Sequence, residues 1–219
     1  MLPVTPLNAF PVAIWQFGTV PYAEALCLQQ DAIVGREKNA IPDTLILLEH
    51  PPTYTLGLRG KDSHFRVPSK LLGQTGSPVF RVDRGGDVTF HGPGQLVGYP
   101  IIDIAARGGD IRQYVRQLED MIIAVLAAFY IDARHLTGYP GVWAGEKKIA
   151  AIGIKVNAAG VTSHGFALNV NTDLACFENI FPCGLDHKSV TSMAEILKRP
   201  VHMEPVRTLV SETFMRVFG

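Results

Sequence analysis

Apolar residues recur along this 219-residue chain with two different spacings. The continuous apolar run 45–48, flanked by acidic residues, is typical of a strand that is buried on both faces. Between 114 and 129 apolar residues return every three or four positions, which indicates an amphipathic helix. Asp110 and Gln113 precede that helix with the spacing of a capping box. The pattern therefore predicts a chain that combines buried strands with helices.

The same patterns predict elements along the rest of the chain. Strands are expected at 12–17, 43–49, 79–82, 96–104, 141–143, 149–156 and 161–170, an extended ribbon at 50–57, and helices at about 21–37, 110–129, from 192 and from 205. The strands 141–143, 149–156 and 161–170 are predicted to form an antiparallel meander. The range 59–78 is predicted to be a loop with one short helix near Ser69. Mixed strands and four helices predict one α/β (α+β) domain over 1–219, with 186–219 as a candidate helical appendage.

Composition narrows the classes of function. Twenty basic and twenty acidic residues cancel, so no overall field favours nucleic acid as a partner. Three cysteines, an odd number, argue against a disulfide framework and for a reducing compartment. No apolar run approaches the roughly 18 residues of a membrane span, and the N-terminus lacks the features of a targeting signal. The sequence therefore predicts a cytoplasmic protein without membrane contact.

The stretch 84–95, Arg-Gly-Gly-Asp-Val-Thr-Phe-His-Gly-Pro-Gly-Gln, is unusually rich in glycine. Gly85 and Gly86 allow a backbone conformation with positive φ, or close approach of a ligand. The run 92–94 makes a second stiff bend, and the short strand between the bends ends at His91. This stretch is either a loop that cradles a ligand or a glycine-rich turn with a surface histidine.

Cys183 is the candidate nucleophile because it lies on the turn 182–184, outside any regular element. A thiol with a pKa of about 8.5 needs a nearby cation or dipole to react at neutral pH. The alternatives are a small buried side chain or an inert surface thiol. Cys27 and Cys176 are predicted to be packing residues. Cys176, Cys183 and His187 lack the spacing of a zinc site, so no metal is predicted.

Two lysines open the otherwise apolar strand 149–156. Lys147 can stay solvated, whereas Lys148 shares a face with apolar residues by strand alternation. A lysine in a partly apolar site becomes a better proton donor and acceptor. The alternative is an ordinary solvated strand end.

Small residues on neighbouring strands predict a slot in the sheet surface. Ala151 and Gly153 lie on one strand, and Gly165 and Ala167 lie on the next. A glycine within a strand often marks close approach of a ligand. The apolar walls of such a slot suit an alkyl chain better than a sugar or a phosphate.

Four stretches in this order resemble the octanoyl (lipoyl) transferases, the LipB family: 84–95, 147–153, 164–171 and 182–184. Each motif is weak alone, but their order and spacing together are specific, and the resemblance runs from about residue 10 to 200. It implies an α/β domain with a central mixed sheet, related to the catalytic domains of lipoate and biotin protein ligases.

The resemblance also implies roles for individual residues. Cys183 corresponds to the nucleophile that carries the octanoyl group as a thioester, and Lys148 to the partner that lowers its pKa and transfers protons. The implied acyl-binding residues are Arg84, Gly85, Gly86, Asp87, Val88, Thr89, Phe90, His91, Ala151, Ile152, Gly153, Gly165, Phe166 and Ala167. Phe90 stands where tyrosine is common in the family, and Ala151 where serine is common, so each position lacks a hydroxyl.

The resemblance implies an enzyme of endogenous lipoate biosynthesis, at its first step. The octanoyl donor would be octanoyl-acyl carrier protein, and the acceptors would be lipoyl domains of 2-oxoacid dehydrogenases and the glycine cleavage H protein. Exchange between thioesters is nearly isoenergetic, so neither ATP nor another cofactor is expected. Because both partners are acidic, a basic patch is expected around the pocket, at Arg59, Lys61, Arg66 and Arg81.

Two other functions fit the residues less well. An ATP-dependent lipoate or biotin protein ligase would need a phosphate-binding loop and Mg²⁺, and it would have no use for Cys183. A catalytically silent module that binds lipoyl domains or carrier protein would form no acyl adduct on Cys183.

Overall fold

The computed structural model describes residues 10–74, 76–181 and 190–219. The predicted turn 182–184, with the predicted nucleophile Cys183, lies outside the described residues, as does His187. Lys148 and all of the predicted acyl-binding residues lie within them.

The described residues form two β-sheets and five α-helices. The strands are β1 Val12–Thr19, β2 Asp43–Glu49, β3 Thr53–Leu56, β4 Val79–Arg81, β5 Val88–His91, β6 Gln95–Ile101, β7 Arg134–Leu136, β8 Tyr139–Ala144, β9 Lys147–Val156 and β10 Thr162–Asn169. The helices are α1 Tyr22–Glu37, α2 Ser69–Gln74, α3 Ile111–Ala128, α4 Met193–Leu197 and α5 Met203–Phe218.

The main sheet has seven strands in the order β1-β2-β6-β10-β9-β8-β7, and the second sheet has three in the order β4-β3-β5. In the main sheet β1 and β2 are parallel, whereas the other neighbouring pairs are antiparallel. The sheet is therefore mixed, and the predicted meander is confirmed as β8, β9 and β10.

Strand β2 is buried on both faces because helices cover each of them. Leu45 and Leu47 pack in the core that contains α3 and α5, whereas Ile46 and Leu48 pack in the core that contains α1. All four side chains are fully buried, and each such burial contributes about 1.5–3 kcal/mol. The predicted strand with two buried faces is confirmed.

Local capping explains where two of the helices begin. The Asp110 carboxylate accepts hydrogen bonds from the backbone N–H groups of Arg112 and Gln113 at the start of α3. Ser192 Oγ accepts one from Glu195 N–H at the start of α4. Each cap satisfies N–H groups that the helix itself leaves unpaired.

The structure also corrects the sequence analysis. Cys27 is exposed on α1, so its predicted packing role is wrong, because the buried face of α1 runs through Ala25, Gln29 and Ala32 instead. Strand β7, Arg134–Leu136, was not predicted from the sequence. No helix in the described part of the chain is long and apolar enough to cross a membrane.

Candidate active site

A cavity of about 410 Å³ lies between β9 and β10 of the main sheet and the 84–91 segment of the second sheet. This volume is in the usual range for a small-ligand site. Lys148 lines the cavity. So do these predicted acyl-binding residues: Arg84, Gly85, Gly86, Asp87, Val88, Thr89, His91, Ala151, Ile152, Gly153, Gly165, Phe166 and Ala167.

Phe90 is the exception among the predicted acyl-binding residues. Its ring is buried on the other side of β5, where it lies 5.1 Å from the Tyr54 ring and 5.6 Å from the Phe177 ring, between centroids. Strand alternation explains this position, because Thr89 and His91 occupy the cavity side. Phe90 therefore supports the loop from behind and does not line this cavity, so its role in acyl binding stays a prediction.

The glycine-rich loop rests directly on β9. Gly85 N–H donates to the Ile154 carbonyl at 2.8 Å, and Gly86 adopts a φ of +92°. A Cβ placed on Gly153 would lie 2.8 Å from the Gly85 carbonyl oxygen, closer than real Cβ contacts allow. Glycine at 153 is therefore required for the 84–87 loop to pack against β9.

Gly153→Ala is expected to push the 84–87 loop off β9 and to raise the KM for the substrate that binds in the cavity about tenfold, with a smaller change in kcat. Steady-state kinetics on the purified variant would measure this. Gly18→Ala is the matched control, since a Cβ on that strand residue meets nothing within 4 Å. An unchanged KM in Gly153→Ala would show that the loop does not contact the bound substrate.

Arg84 braces the loop from inside. It is 8% exposed, and its guanidinium donates to the Thr55 carbonyl at 3.0 Å, to Thr55 Oγ1 at 2.9 Å and to the Asp87 carbonyl at 2.8 Å. A further bond goes to the Gly85 carbonyl at 2.9 Å. Arg84 thus ties β3 to both ends of the glycine turn, in a planar arrangement that lysine could not reproduce.

A cluster of neutral polar side chains that the sequence analysis missed lies beside the cavity. Because the Val20 carbonyl can only accept, His50 Nδ1 donates to it at 2.7 Å, and His50 Nε2 accepts from the Tyr99 hydroxyl at 2.7 Å. Burial lowers the pKa of His50 to about 4 and raises the pKa of Tyr22 to about 12. These groups are therefore uncharged at neutral pH.

His91, the one member of this cluster that the sequence analysis had named, completes it. Gln95 Nε2 donates to the Asn169 amide oxygen and the Phe90 carbonyl, so Gln95 Oε1 faces His91 Nδ1 as an acceptor at 2.8 Å. Burial keeps the pKa of His91 well below its ordinary value. A neutral imidazole suits an apolar ligand, because no unpaired charge is buried beside it.

The buried His50 predicts that the protein loses stability in mild acid. The unfolded chain binds a proton at this residue below pH 6.5, whereas the folded protein resists protonation down to about pH 4. The free energy of unfolding should therefore fall by about 3 kcal/mol as the pH drops from 6.5 to 4 through this residue alone. Urea denaturation at several pH values would measure it.

His50→Gln isolates that contribution, because glutamine can hydrogen-bond without titrating. Its stability should depend less steeply on pH than that of the wild type, whereas His202→Gln, at an exposed residue, should leave the slope unchanged. Equal slopes for wild type and His50→Gln would contradict the neutral buried state of His50.

Lys147 and Lys148 divide as the alternation of the strand predicts. Lys147 Nζ forms an exposed ion pair with Glu195 at 3.0 Å. Lys148 is half-buried and lines the cavity. Its Nζ lies 4.9 Å from the centroid of the Trp143 ring. An ammonium over an indole face is attracted by the ring, so Trp143 helps to hold the Lys148 side chain in place.

The residues that flank the undescribed segment 182–189 also lie at this cavity. Phe177 and Val190 both line it, and Val190 forms a β-bridge with Lys148. The Lys148 carbonyl accepts a hydrogen bond from Thr191 N–H at 3.0 Å. Two described stretches, one on each side of Cys183 in the sequence, therefore border the cavity.

The residues of the expected basic patch have different surroundings. Arg59 lines the cavity, whereas the exposed Arg81 pairs with Asp62 at 2.6 Å. The Arg66 guanidinium lies 4.1 Å over the Phe181 ring, and Lys61 is exposed.

Comparison with known proteins places this geometry in a family. A family model described as the lipoyl protein ligase A/B catalytic domain matches residues 21–215. An octanoyltransferase of Rubrobacter xylanophilus is 46% identical over 203 residues, which cover 92% of this chain and 91% of that protein.

Solved structures show the same fold at low sequence identity. A T. acidophilum protein solved with bound lipoic acid has a TM-score of 0.73 at 20% identity, and it covers 94% of this chain and 85% of its own. A bipartite lipoate protein ligase of Thermoplasma acidophilum, solved in a study of that ligase and its E2 lipoyl domain, has a TM-score of 0.69 at 17% identity, covering 96% and 84%. The predicted ligase-like α/β fold is confirmed. The chain belongs to the lipoyl protein ligase A/B catalytic domain family and, within it, to the octanoyltransferases, which are acyltransferases.

Proposed function

We propose that this octanoyltransferase takes its acyl group from octanoyl-acyl carrier protein, holds it as a thioester on Cys183, and passes it to a lysine of a lipoyl domain. The observation that carries the proposal is the position of Lys148 at the wall of a largely apolar cavity, next to Val190. Cationic lysine beside a thiol favours the thiolate.

In the first half-reaction the Cys183 thiolate attacks the octanoyl carbonyl carbon. A new carbon–sulfur bond forms, the bond to the carrier thiol breaks, and the departing sulfur takes a proton from the Lys148 ammonium. Lys148 is left neutral. One thioester replaces another, so no nucleotide is needed to drive the step.

In the second half-reaction the neutral ε-amine of the acceptor lysine attacks the thioester on Cys183. An amide bond forms, the carbon–sulfur bond breaks, and the attacking nitrogen gives a proton to neutral Lys148. Cys183 leaves as a thiolate beside a lysine ammonium, so the starting state is restored. Backbone N–H groups near the cavity are the candidate donors to the oxyanion that forms in each half-reaction.

The cavity accounts for an alkyl substrate. Small residues on adjacent strands, Ala151, Gly153, Gly165 and Ala167, leave room against the sheet, and the buried cluster of Tyr22, His50 and His91 beside it is uncharged at neutral pH. Burial of each CH₂ contributes about 0.8 kcal/mol, so an eight-carbon chain gains several kcal/mol of binding. The structural neighbour that binds lipoic acid, also an eight-carbon acid, supports this ligand class.

The dependence of acyl transfer on ATP tests the proposal. Purified protein should octanoylate a lipoyl domain from octanoyl-acyl carrier protein without ATP and Mg²⁺, and it should be inactive with free octanoate plus ATP. Activity only with free octanoate and ATP would identify a ligase instead. Binding of both proteins without any transfer would identify a silent module.

A further inference from the structure

His164 is an unusual residue at the cavity wall. It lies in β10 with a φ of +57°, a left-handed conformation that a non-glycine side chain adopts only at a cost. It is 4% exposed, and its Nδ1 is a buried atom with no hydrogen-bond partner among the described residues. Two unfavourable features at one cavity residue indicate a functional constraint.

The left-handed conformation directs His164 to the loop side of the sheet. Its backbone N–H donates to Gln29 Oε1 of α1 at 2.8 Å, whereas the next two even-numbered residues of β10, Phe166 and Leu168, pack on the opposite face with α3. His164 Nε2 reaches Asp83 Oδ1 at 2.9 Å. His164 thus connects β10 to the residue that precedes the glycine-rich loop.

Asp83 is held in its ionised form at this position. Lys155 Nζ contacts its second carboxylate oxygen, Oδ2, at 2.5 Å, and this bond is the largest cause that lowers the pKa of Asp83 to about 2. Burial lowers the pKa of His164, so the imidazole is neutral and Nε2 carries the proton that Asp83 accepts. Since the Asp83–Lys155 pair is half-exposed, it contributes little by itself.

We propose that His164 is a positioning residue for acyl binding: through Asp83 it fixes the 84–87 loop against β9, at the far end of that strand from Lys148. Two contacts side by side define the seat of the loop, namely His164 to Asp83 and the Gly85 N–H to the Ile154 carbonyl. The inference rests on the proposed acyl-binding role of the loop, which the proposed function contains.

His164→Asn is the decisive variant, because asparagine tolerates the left-handed conformation but is too short to reach Asp83. We expect the KM for octanoyl-acyl carrier protein to rise about tenfold, with kcat and the KM for the lipoyl domain within twofold of wild type. Asp83→Ala should give the same rise. The double variant should be no worse than either single one, since both remove the same contact.

Two controls keep the result specific. Lys198→Asn places asparagine at another left-handed position, outside the cavity lining, and should leave all constants unchanged. Asp83→Asn keeps an oxygen that can accept from Nε2–H and should recover most of the loss seen in Asp83→Ala. The thermal midpoint of His164→Asn, measured alongside, should stay within a few degrees of wild type.

Three outcomes would overturn the inference: an unchanged donor KM in folded His164→Asn, additive effects in the double variant, or equal increases in the KM for both substrates. These outcomes are separate from failure of the proposed function, which would appear as wild-type protein that does not transfer octanoyl groups without ATP.

Discussion

Cys183→Ala is expected to reduce octanoyl transfer at least 1,000-fold, because no other group then forms the covalent intermediate. The variant should still bind octanoyl-acyl carrier protein, since the cavity walls are unchanged. A radiolabelled octanoyl donor, with the acylated lipoyl domain separated by gel electrophoresis, would measure the loss.

The other two cysteines supply the controls. Cys27 is exposed, and Cys176 is half-buried beside the core of the second sheet, so Cys27→Ser and Cys176→Ala should keep most of the activity. Transfer by Cys183→Ala within tenfold of wild type would show that the acyl group passes directly from donor to acceptor.

Lys148→Ala is expected to lower turnover about 100- to 1,000-fold, because both half-reactions then lose their proton donor and acceptor. Without the ammonium the thiolate is less favoured, so the pH at which Cys183 reacts with iodoacetamide should rise. The alkylation rate of the protein with only Cys183 remaining, followed over a pH series, would measure this.

Lys147→Ala is the matched control, since the Lys147 ammonium lies on the exposed face of the strand and pairs with Glu195. Its turnover and alkylation profile should stay near those of wild type. An alkylation profile that is the same for Lys148→Ala and wild type would remove Lys148 from thiol activation.

Local sequence patterns predict much of this fold. The apolar run at 45–48 predicts a strand that is buried on both faces, because a strand without polar positions must be covered on each side. The caps at Asp110 and Ser192 and the turn at 157–160 are likewise local. Strand alternation also separates Lys147 from Lys148, since side chains two apart share a face.

Features that depend on contacts between distant parts of the chain could not be predicted from local sequence patterns. His50 is neutral because the fold buries it against Val20 and Tyr99, and nothing within its own stretch indicates those partners. Strand alternation places Phe90 opposite Thr89 and His91, but which face of β5 borders the cavity depends on its pairing with the distant strand β3. The glycine motif indicates that a ligand loop exists, but not that Arg84 braces it.

His164 shows the same limit most clearly. Its left-handed backbone and its bond to Asp83, 81 positions earlier, follow from how β10 meets the loop in three dimensions. In the sequence, Gly165 indicated close approach of a ligand, but no pattern indicated a role for the histidine that precedes it.

Rapid-quench analysis of the octanoyl group on the enzyme tests the central claim most directly. Enzyme mixed with octanoyl-acyl carrier protein, without acceptor, is quenched in acid, digested and examined by mass spectrometry, and a second portion is mixed with lipoyl domain. The account predicts an octanoyl group on the peptide that contains Cys183, formed at least as fast as overall turnover and passed to the lipoyl-domain lysine on mixing. Full transfer activity with Cys183 unmodified at every time point would contradict it.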